Sequence, residues 1–191
     1  MFKRKNISVL LIVFSFMIST YAFCAPLKIE CKRLIPEYYT PCTTATVTIS
    51  ITRQKGVLVS AIDEHPPESW KVVDISDGGA WDDIFKKIKW GLNPTKLNNN
   101  RTVRYEILPP KNFTDISDFY GRSAHDGIVV LTTGGMHMQP SGITPQTLID
   151  HLLGRQPLPD DKLPAAYFNN DSKVDISDYI LLTRALRACD N

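Results

Sequence analysis

Residues 45–53, ATVTISITR, alternate strictly between apolar side chains and hydroxyl-bearing ones. Val47, Ile49 and Ile51 fall on one side of the chain, and threonine or serine falls on the other. A period of two residues is that of a β-strand with one buried and one exposed face. The stretch therefore predicts an amphipathic strand in the middle of a β-structure.

Further short runs of strand-forming residues lie C-terminal to this stretch, separated by clusters of proline, glycine and asparagine. Such turn residues punctuate antiparallel strands. Seven or eight short strands with this spacing favour an immunoglobulin-like β-sandwich over a barrel. The predicted strands cover residues 56–62, 70–75, 87–90, 102–108, 119–124 and 128–132.

Oxygen-bearing side chains recur near the end of the chain, in residues 167–186, YFNNDSKVDISDYILLTRAL. In a twelve-residue calcium loop, side-chain oxygens stand at positions 3, 5, 9 and 12, and a backbone carbonyl stands at position 7. Calcium is a hard cation that takes about six to eight oxygen ligands. With the loop starting at residue 167, the predicted calcium ligands are Asn169, Asp171, Lys173 through its carbonyl, Asp175 and Asp178.

Two positions of this loop depart from the calcium-binding pattern. Position 1, usually an aspartate, is Tyr167, so that one carboxylate is missing. Position 6, usually glycine, is Ser172, which would have to adopt a left-handed backbone at a cost of about 1 kcal/mol. We therefore expect weak calcium binding. The alternative is a metal-free turn in which Asp175 and Asp178 cap the following helix.

A second helix is predicted in residues 142–154, GITPQTLIDHLLG. Thr144 suits the N-cap, Pro145 suits the first helical position, and Gly154 suits the C-terminal cap. The leucines and isoleucine between them form one apolar face. The proline-rich segment 155–164 that follows is expected to be extended.

The first 22 residues have the features of a secretory signal peptide. Lys3, Arg4 and Lys5 precede an apolar stretch at residues 7–18, and Ala22 is a small residue at the predicted cleavage site. The whole chain has 22 basic and 20 acidic residues. Loss of the three basic residues in the signal would leave a nearly neutral protein, which argues against a nucleic-acid-binding surface.

The chain has four cysteines, and an exported protein is expected to form disulfides. Three pairings are open. The most local one joins Cys31 to Cys42 and leaves Cys24 with Cys189. No CxxC spacing is present, so a zinc site is not expected.

The sequence contains none of the common catalytic motifs: GxSxG, HExxH, a P-loop or GxGxxG. We therefore predict that the protein is not an enzyme. Trp81 lies in a predicted turn, where an exposed indole ring could stack on a sugar. Packing of Trp81 against the sandwich is the favoured alternative.

VDISDYILLTRAL, residues 174–186, resembles the second repeat of a dockerin type I module. Residues 142–154 resemble a degenerate first repeat, because the preceding MHMQPS has no acidic residue. Such modules usually bind calcium and dock onto cohesin domains of a scaffold protein. The resemblance implies a cohesin-like partner, contacted by the exposed face of the helix at residues 177–188.

The segments RLIPEYYTP, TVTISIT, EHPPESW, SDGG, KIKWG, VRYEILPP and FYGRSAHDG resemble, in this order, a sandwich domain of secreted bacterial proteins that stands before a dockerin. The resemblance covers most of residues 29–130. It implies that Trp70, Trp90 and Tyr105 lie in the core.

Taken together, the sequence predicts a mainly β protein with a C-terminal α module. We expect a signal peptide at residues 1–22, an immunoglobulin-like β-sandwich at 23–134, and a two-helix dockerin-like module with an EF-hand-type loop at 135–191. The predicted function is non-enzymatic, calcium-assisted protein–protein attachment outside the cell or in the cell envelope. One alternative is a carbohydrate-binding β-sandwich with a row of exposed aromatics on one sheet face. The other is a purely structural envelope protein without metal.

Overall fold

A computed structural model describes residues 29–52, 59–92 and 100–189. The predicted signal peptide and Cys24 lie outside these residues. Within them, no helix combines the length and the apolar character needed to cross a bilayer.

In the described residues β-strands predominate over helices, and two α-helices and a 3₁₀ helix follow the strands. The helices are α1 (Pro145–Leu152), the 3₁₀ helix at Asp160–Ala166, and α2 (Ile176–Ala188). The described strands are β1 (Glu30–Leu34), β2 (Tyr38–Tyr39), β3 (Ala45–Thr52), β4 (Ser60–His65), β5 (Lys71–Ile75), β6 (Ala80–Asp82), β7 (Lys87–Leu92), β8 (Asn100–Leu108), β9 (Ser117–Asp118), β10 (Tyr120–His125), β11 (Ile128–Leu131), β12 (Thr133–Gly134) and β13 (His137–Pro140).

The strands form two five-stranded sheets that enclose one core. The first sheet has the order β12-β1-β3-β8-β5, and the second has the order β11-β10-β4-β7-β6. The short strands β2, β13 and β9 form a third sheet of three. Apart from the parallel pairs β1–β12 and β13–β2, neighbouring strands are antiparallel. The predicted β-sandwich is confirmed.

Strand β3 is the centre of the first sheet, as its alternation predicted. It pairs with β1 on one side and with β8 on the other. Val47, Ile49 and Ile51 are fully buried. Each of their side chains removes apolar surface from water, which is the main source of stability for such a core. The predicted core positions of Trp70, Trp90 and Tyr105 are also confirmed, since all three are buried.

A buried ion pair joins the two sheets. Arg33 on β1 of the first sheet donates its Nε–H to Glu64 on β4 of the second, and both side chains are at most 1% exposed. Tyr105 donates its hydroxyl to the same carboxylate oxygen at 3.3 Å. Arg33 Nη1 also donates to the carbonyl of Gly135 at 2.9 Å. Burial raises the pKa of Glu64 to about 6, although Arg33 and Tyr105 act in the opposite direction.

Gly121 on β10 is the neighbour that leaves room for this ion pair. A Cβ atom at position 121 would lie 2.0 Å from Glu64 Oε2 and 2.8 Å from Arg33 Nη2. Both distances are shorter than atomic contacts allow, so any side chain at this position would displace the pair. The glycine is required by packing rather than by its backbone angles.

The C-terminal helices have a small core of their own, formed by Ile143, Leu148, Ala166 and Leu182. Helix α1 begins as predicted: the Thr144 hydroxyl accepts the backbone N–H of Thr147, and Pro145 is the first helical residue. Gly154 has a φ of 67°, which suits the predicted C-terminal cap. Residues Asp160–Ala166 form a 3₁₀ helix, so the prediction of an extended 155–164 segment is wrong over its second half. Packing of Ala166 into the small core outweighs the local proline preference.

The helices are tied to the sandwich at several points. Strand β13 pairs with β2 and β9, so the β-structure continues to Pro140. Tyr38 donates its hydroxyl to Asp161 at 2.9 Å, and the hydroxyls of Thr40 and Ser141 share a hydrogen bond of 2.8 Å. These contacts place the helices directly on one end of the sandwich.

A disulfide between Cys42 and Cys189 completes the attachment. The pairing of Cys31 with Cys42, and of Cys24 with Cys189, is therefore wrong. Cys31 lies on β1 with its side chain buried in the core and is a free thiol, whereas Cys42 lies in a turn with a φ of 62°. Residues close in sequence are separated here because one faces the core and the other faces the end of α2.

The ion pair gives a prediction about stability. Glu64→Ala should lower the free energy of unfolding by about 3–5 kcal/mol, because it leaves the Arg33 guanidinium buried without a counter-charge. Urea denaturation measures this. Glu30→Ala, on the exposed face of β1, is the matched control and should change stability by less than about 0.5 kcal/mol. Equal effects of the two substitutions would contradict the assigned role of the pair.

The disulfide gives a second prediction. Peptide mapping by mass spectrometry under non-reducing conditions should recover the peptides of Cys42 and Cys189 joined to each other, with Cys31 alkylated only after unfolding. Reduction should lower the melting temperature, since it frees the end of α2 from the sandwich. A peptide pair linking Cys31 to Cys42 would refute this pairing.

Candidate functional site

The predicted calcium loop closes around Asp178, in the first turn of α2. The Asp178 side chain is fully buried. One of its oxygens accepts the backbone N–H of Asn169 at 3.3 Å, and the other accepts that of Asp175 at 2.9 Å. A buried carboxylate with two amide donors joins the beginning and the end of the loop.

The other predicted ligands also hold the backbone of the loop. Asn169 Oδ1 accepts the N–H of Asp171 at 3.1 Å, and Asp171 Oδ1 accepts the N–H of Lys173 at 2.9 Å. Asp175 is the N-cap of α2 and accepts the N–H of Ser177 at 2.7 Å. This capping arrangement is the one that the metal-free alternative describes.

The backbone at position 6 of the loop is left-handed, as predicted. Ser172 has a φ of 61°, and Asn170 has a φ of 59°. Asparagine tolerates this region of φ better than serine does, so most of the strain falls on Ser172.

The predicted ligands offer only oxygen donors, the chemistry that calcium prefers. Over the described residues, however, no group of three or more histidine, cysteine, aspartate or glutamate side chains is placed to hold a metal ion. The carboxylates of Asp171 and Asp178 face backbone amides of the loop. Calcium ligation would therefore use oxygens that already accept hydrogen bonds.

Helix α2 has an exposed apolar face. Ile176 and Ile180, four residues apart, are exposed on one side of the helix, and Leu181 is exposed at the margin of that side. Arg184 and Arg187 extend this side toward the C-terminus and form no salt bridge with any described residue. The face is thus apolar at its beginning and positively charged at its end.

Trp81 lies on the edge strand β6 and is 37% exposed. Its partner across the strand pair is Ile88, which is fully buried, so the indole is on the core side of the sheet. Trp81 lines an open groove of about 400 Å³ with residues of β5 such as Val73 and Asp74. The indole therefore covers the open edge of the core.

The outer face of the second sheet presents two other aromatic rings. We define it by Tyr120 on β10, His65 and Asp63 on β4, Lys87 and Lys89 on β7, Asp82 on β6, Arg122 on β10, and Phe85 in the β6–β7 turn. Tyr120 is 54% exposed and Phe85 is 63% exposed. The rings of Tyr120 and His65 lie 5.7 Å apart, and the Nζ atoms of Lys87 and Lys89 lie 5.6 and 5.3 Å from the ring centre of Phe85.

The charges on this outer face are paired with one another. Asp63 contacts Lys87 at 2.5 Å and Arg122 at 3.4 Å, and Lys89 forms an ion pair with Asp82. Partial burial opposes ionisation of Asp63, but the two cations keep its pKa below the usual value. The face is therefore rich in donors and acceptors and has little net charge.

Sequence reasoning singled out Trp81 and missed Tyr120 and Phe85. Alternation along β10 would have placed Tyr120 and Arg122 on one face, with Gly121 and Ser123 on the other. Which face points outward depends on the pairing of β10 with β4. Phe85 is in a turn, where no periodicity predicts its direction.

Comparison with solved structures finds chains of limited similarity. The chitin-binding domain of chitinase from Pyrococcus furiosus has 8% sequence identity and a TM-score of 0.42, covering 55% of this chain and 100% of that one. A solution structure of that chitin-binding domain gives 11% identity, a TM-score of 0.40, and coverage of 55% and 94%. A non-cellulosomal cohesin from the archaeon Archaeoglobus fulgidus gives 11% identity, a TM-score of 0.42, and coverage of 64% and 97%.

No protein-family model matches the chain, and no curated protein matches it either. The structural similarities are below the level at which a shared family or function follows. The functional argument therefore depends on the surfaces of the molecule itself.

Proposed function

We propose that the protein is a non-catalytic attachment module whose sandwich binds a neutral polysaccharide through the outer face of the second sheet. The observation that carries this proposal is the pair of exposed rings, Tyr120 and Phe85, on one face of a single sheet. The face of an aromatic ring is electron-rich, and the axial C–H groups of a pyranose carry a partial positive charge. A sugar ring can therefore stack on each aromatic ring.

The polar groups between the two rings suit the same ligand. Ion pairs of Asp63 with Lys87 and Arg122 leave donors and acceptors on the surface without a strong field. Such groups can hydrogen-bond to sugar hydroxyls, while a charged polymer would gain little from a neutralised face. Burial and the nearby Lys87 charge lower the pKa of His65, which keeps that ring uncharged at neutral pH.

This proposal predicts retention on an insoluble glycan. The chain should sediment with cellulose or chitin, and Tyr120→Ala combined with Phe85→Ala should weaken retention about tenfold or more, because two stacking contacts are lost. Tyr120→Phe keeps the ring and should bind normally. The matched control Val129→Ala removes an exposed side chain from β11 of the same sheet and should have no effect.

Failure of the wild-type chain to sediment with any neutral glycan would refute the proposal. So would equal retention of the wild-type chain and the Tyr120→Ala, Phe85→Ala double variant. Melting temperatures of all variants should be measured first, since both rings are largely exposed and their removal should leave the fold intact.

The exposed face of α2 favours a second candidate, attachment to a protein partner. Ile176, Ile180 and Leu181 would fill apolar pockets on the partner, and Arg184 and Arg187 would meet an acidic rim. A cohesin-like partner is the one that the dockerin resemblance implies. The disulfide at Cys189 supports this candidate because it fixes the end of the helix on the sandwich.

Calcium belongs to this second candidate. Its ligands would be Asn169, Asp171, the Lys173 carbonyl, Asp175 and Asp178, and the ion would cross-link the loop to the first turn of α2. The oxygen-only donor set and the left-handed backbone at Ser172 support the proposal.

Calcium binding is tested by titrating calcium into the chelator-treated mature chain and recording the heat of binding and the melting temperature. We expect one calcium per chain, with weak affinity and a higher melting temperature, because the ion binds the folded loop only. Asp171→Ala with Asp178→Ala should abolish both signals, whereas Asp160→Ala, an exposed acidic residue outside the loop, should leave them unchanged. Absence of binding heat and of any change in melting temperature at millimolar calcium would refute calcium binding.

The protein partner is tested by measuring binding of the chain to a cohesin domain immobilised on a sensor, with calcium present. Ile180→Asp should abolish binding by placing a charge in the apolar face. No binding of the wild-type chain would remove this candidate and leave the saccharide proposal untouched.

A further inference from the structure

A cleft of about 320 Å³ lies where the helical part meets the sandwich. One wall is formed by β2 and the start of β3, with Tyr38, Thr44 and Thr46. The other wall follows the 3₁₀ helix and includes Tyr167 and Asn170. The cleft is separate from the outer face of the second sheet, because its strand wall belongs to the first sheet and to the small third sheet.

No residue that lines this cleft carries a formal charge. The polar groups of its walls are threonine hydroxyls, tyrosine rings and an asparagine amide. The side chains of Thr44, Thr46 and Asn170 are exposed and form no hydrogen bond with a described residue. The nearest charged groups stand beside the lining residues: Asp161 accepts the Tyr38 hydroxyl at 2.9 Å, and Lys162 Nζ lies 5.8 Å from the centre of the Tyr38 ring. One is an anion and the other a cation, so the cleft has no strong net charge.

The two walls are held in a fixed arrangement. The Tyr38 hydroxyl donates to Asp161 at 2.9 Å, which orients its ring and raises its pKa to about 12, so that it stays protonated. The Thr40–Ser141 hydrogen bond and the Cys42–Cys189 disulfide link the same two parts of the chain. A preformed cleft loses little entropy when a ligand binds.

We propose that this cleft binds a short neutral saccharide of one or two sugar units. Its volume lies at the lower end of the usual range for small-molecule sites, about 300–1,000 Å³. Hydroxyl and amide groups match sugar hydroxyls, and the Tyr167 ring offers apolar surface to a pyranose ring. The inference goes beyond the polysaccharide proposal, since it needs neither Tyr120 nor Phe85.

The test uses the full mature chain and two soluble probes, cellobiose and N,N′-diacetylchitobiose. Binding of each probe is measured by NMR chemical-shift changes and by calorimetry. Thr46→Val removes one hydroxyl at constant shape and should weaken binding about three- to tenfold through one lost hydrogen bond. Asn170→Gly removes the amide, and glycine tolerates the φ of 59° at this position. We expect it to weaken binding to a similar extent. The matched control is Thr48→Val, on the same face of β3 but outside the cleft-lining residues, and it should bind normally.

The Tyr120→Ala, Phe85→Ala double variant separates this cleft from the outer sheet face. It should lose retention on the insoluble glycan and still bind the two soluble sugars. The cleft proposal would be overturned if the double variant lost binding of the soluble sugars while Thr46→Val kept it, because all saccharide binding would then belong to the sheet face. If neither sugar changes the chemical shifts around Thr44 and Tyr167, the proposal is also overturned.

Discussion

The ion pair between Arg33 and Glu64 is the contact on which the sandwich depends. A guanidinium and a carboxylate, both withdrawn from water, are costly unless they meet in good geometry. Arg33 is on the first sheet and Glu64 is on the second, so their contact fixes how the two sheets face each other. The Tyr105 hydroxyl donates a hydrogen bond to Glu64, and Gly121, which has no side chain, leaves room for the pair. An apolar core alone would tolerate more ways of stacking the sheets.

With the sheets fixed in this way, the outward residues of the second sheet form a defined surface. Cross-strand pairing puts Tyr120 beside His65, and the ion pairs of Asp63 neutralise the charges between them. The same alternation that buries Glu64 turns Asp63, its neighbour on β4, to the outer face of the sheet. The interior ion pair and the exterior aromatic and charged surface thus lie on opposite faces of the same strands.

The C-terminal helices depend on a different constraint. Their own core is small, and a module of this size needs additional links to stay folded. The Cys42–Cys189 disulfide and the hydrogen bond from Tyr38 to Asp161 provide these links. Asp178 organises the loop by accepting two backbone amides. That role is compatible with calcium binding but does not require it, because the loop's own amides already satisfy the carboxylate.

The sequence alone determined features that depend on near neighbours. The period of two residues placed β3, and local capping chemistry placed the start of α1. The spacing of the oxygen-bearing side chains predicted the left-handed backbone at Ser172. Only the tertiary structure decided the cysteine pairing, the Arg33–Glu64 contact and the direction of Trp81. The disulfide joins residues 147 positions apart, and the ion pair joins residues 31 apart. Which distant residues meet is decided by how the whole core packs, and local propensity carries no information about that.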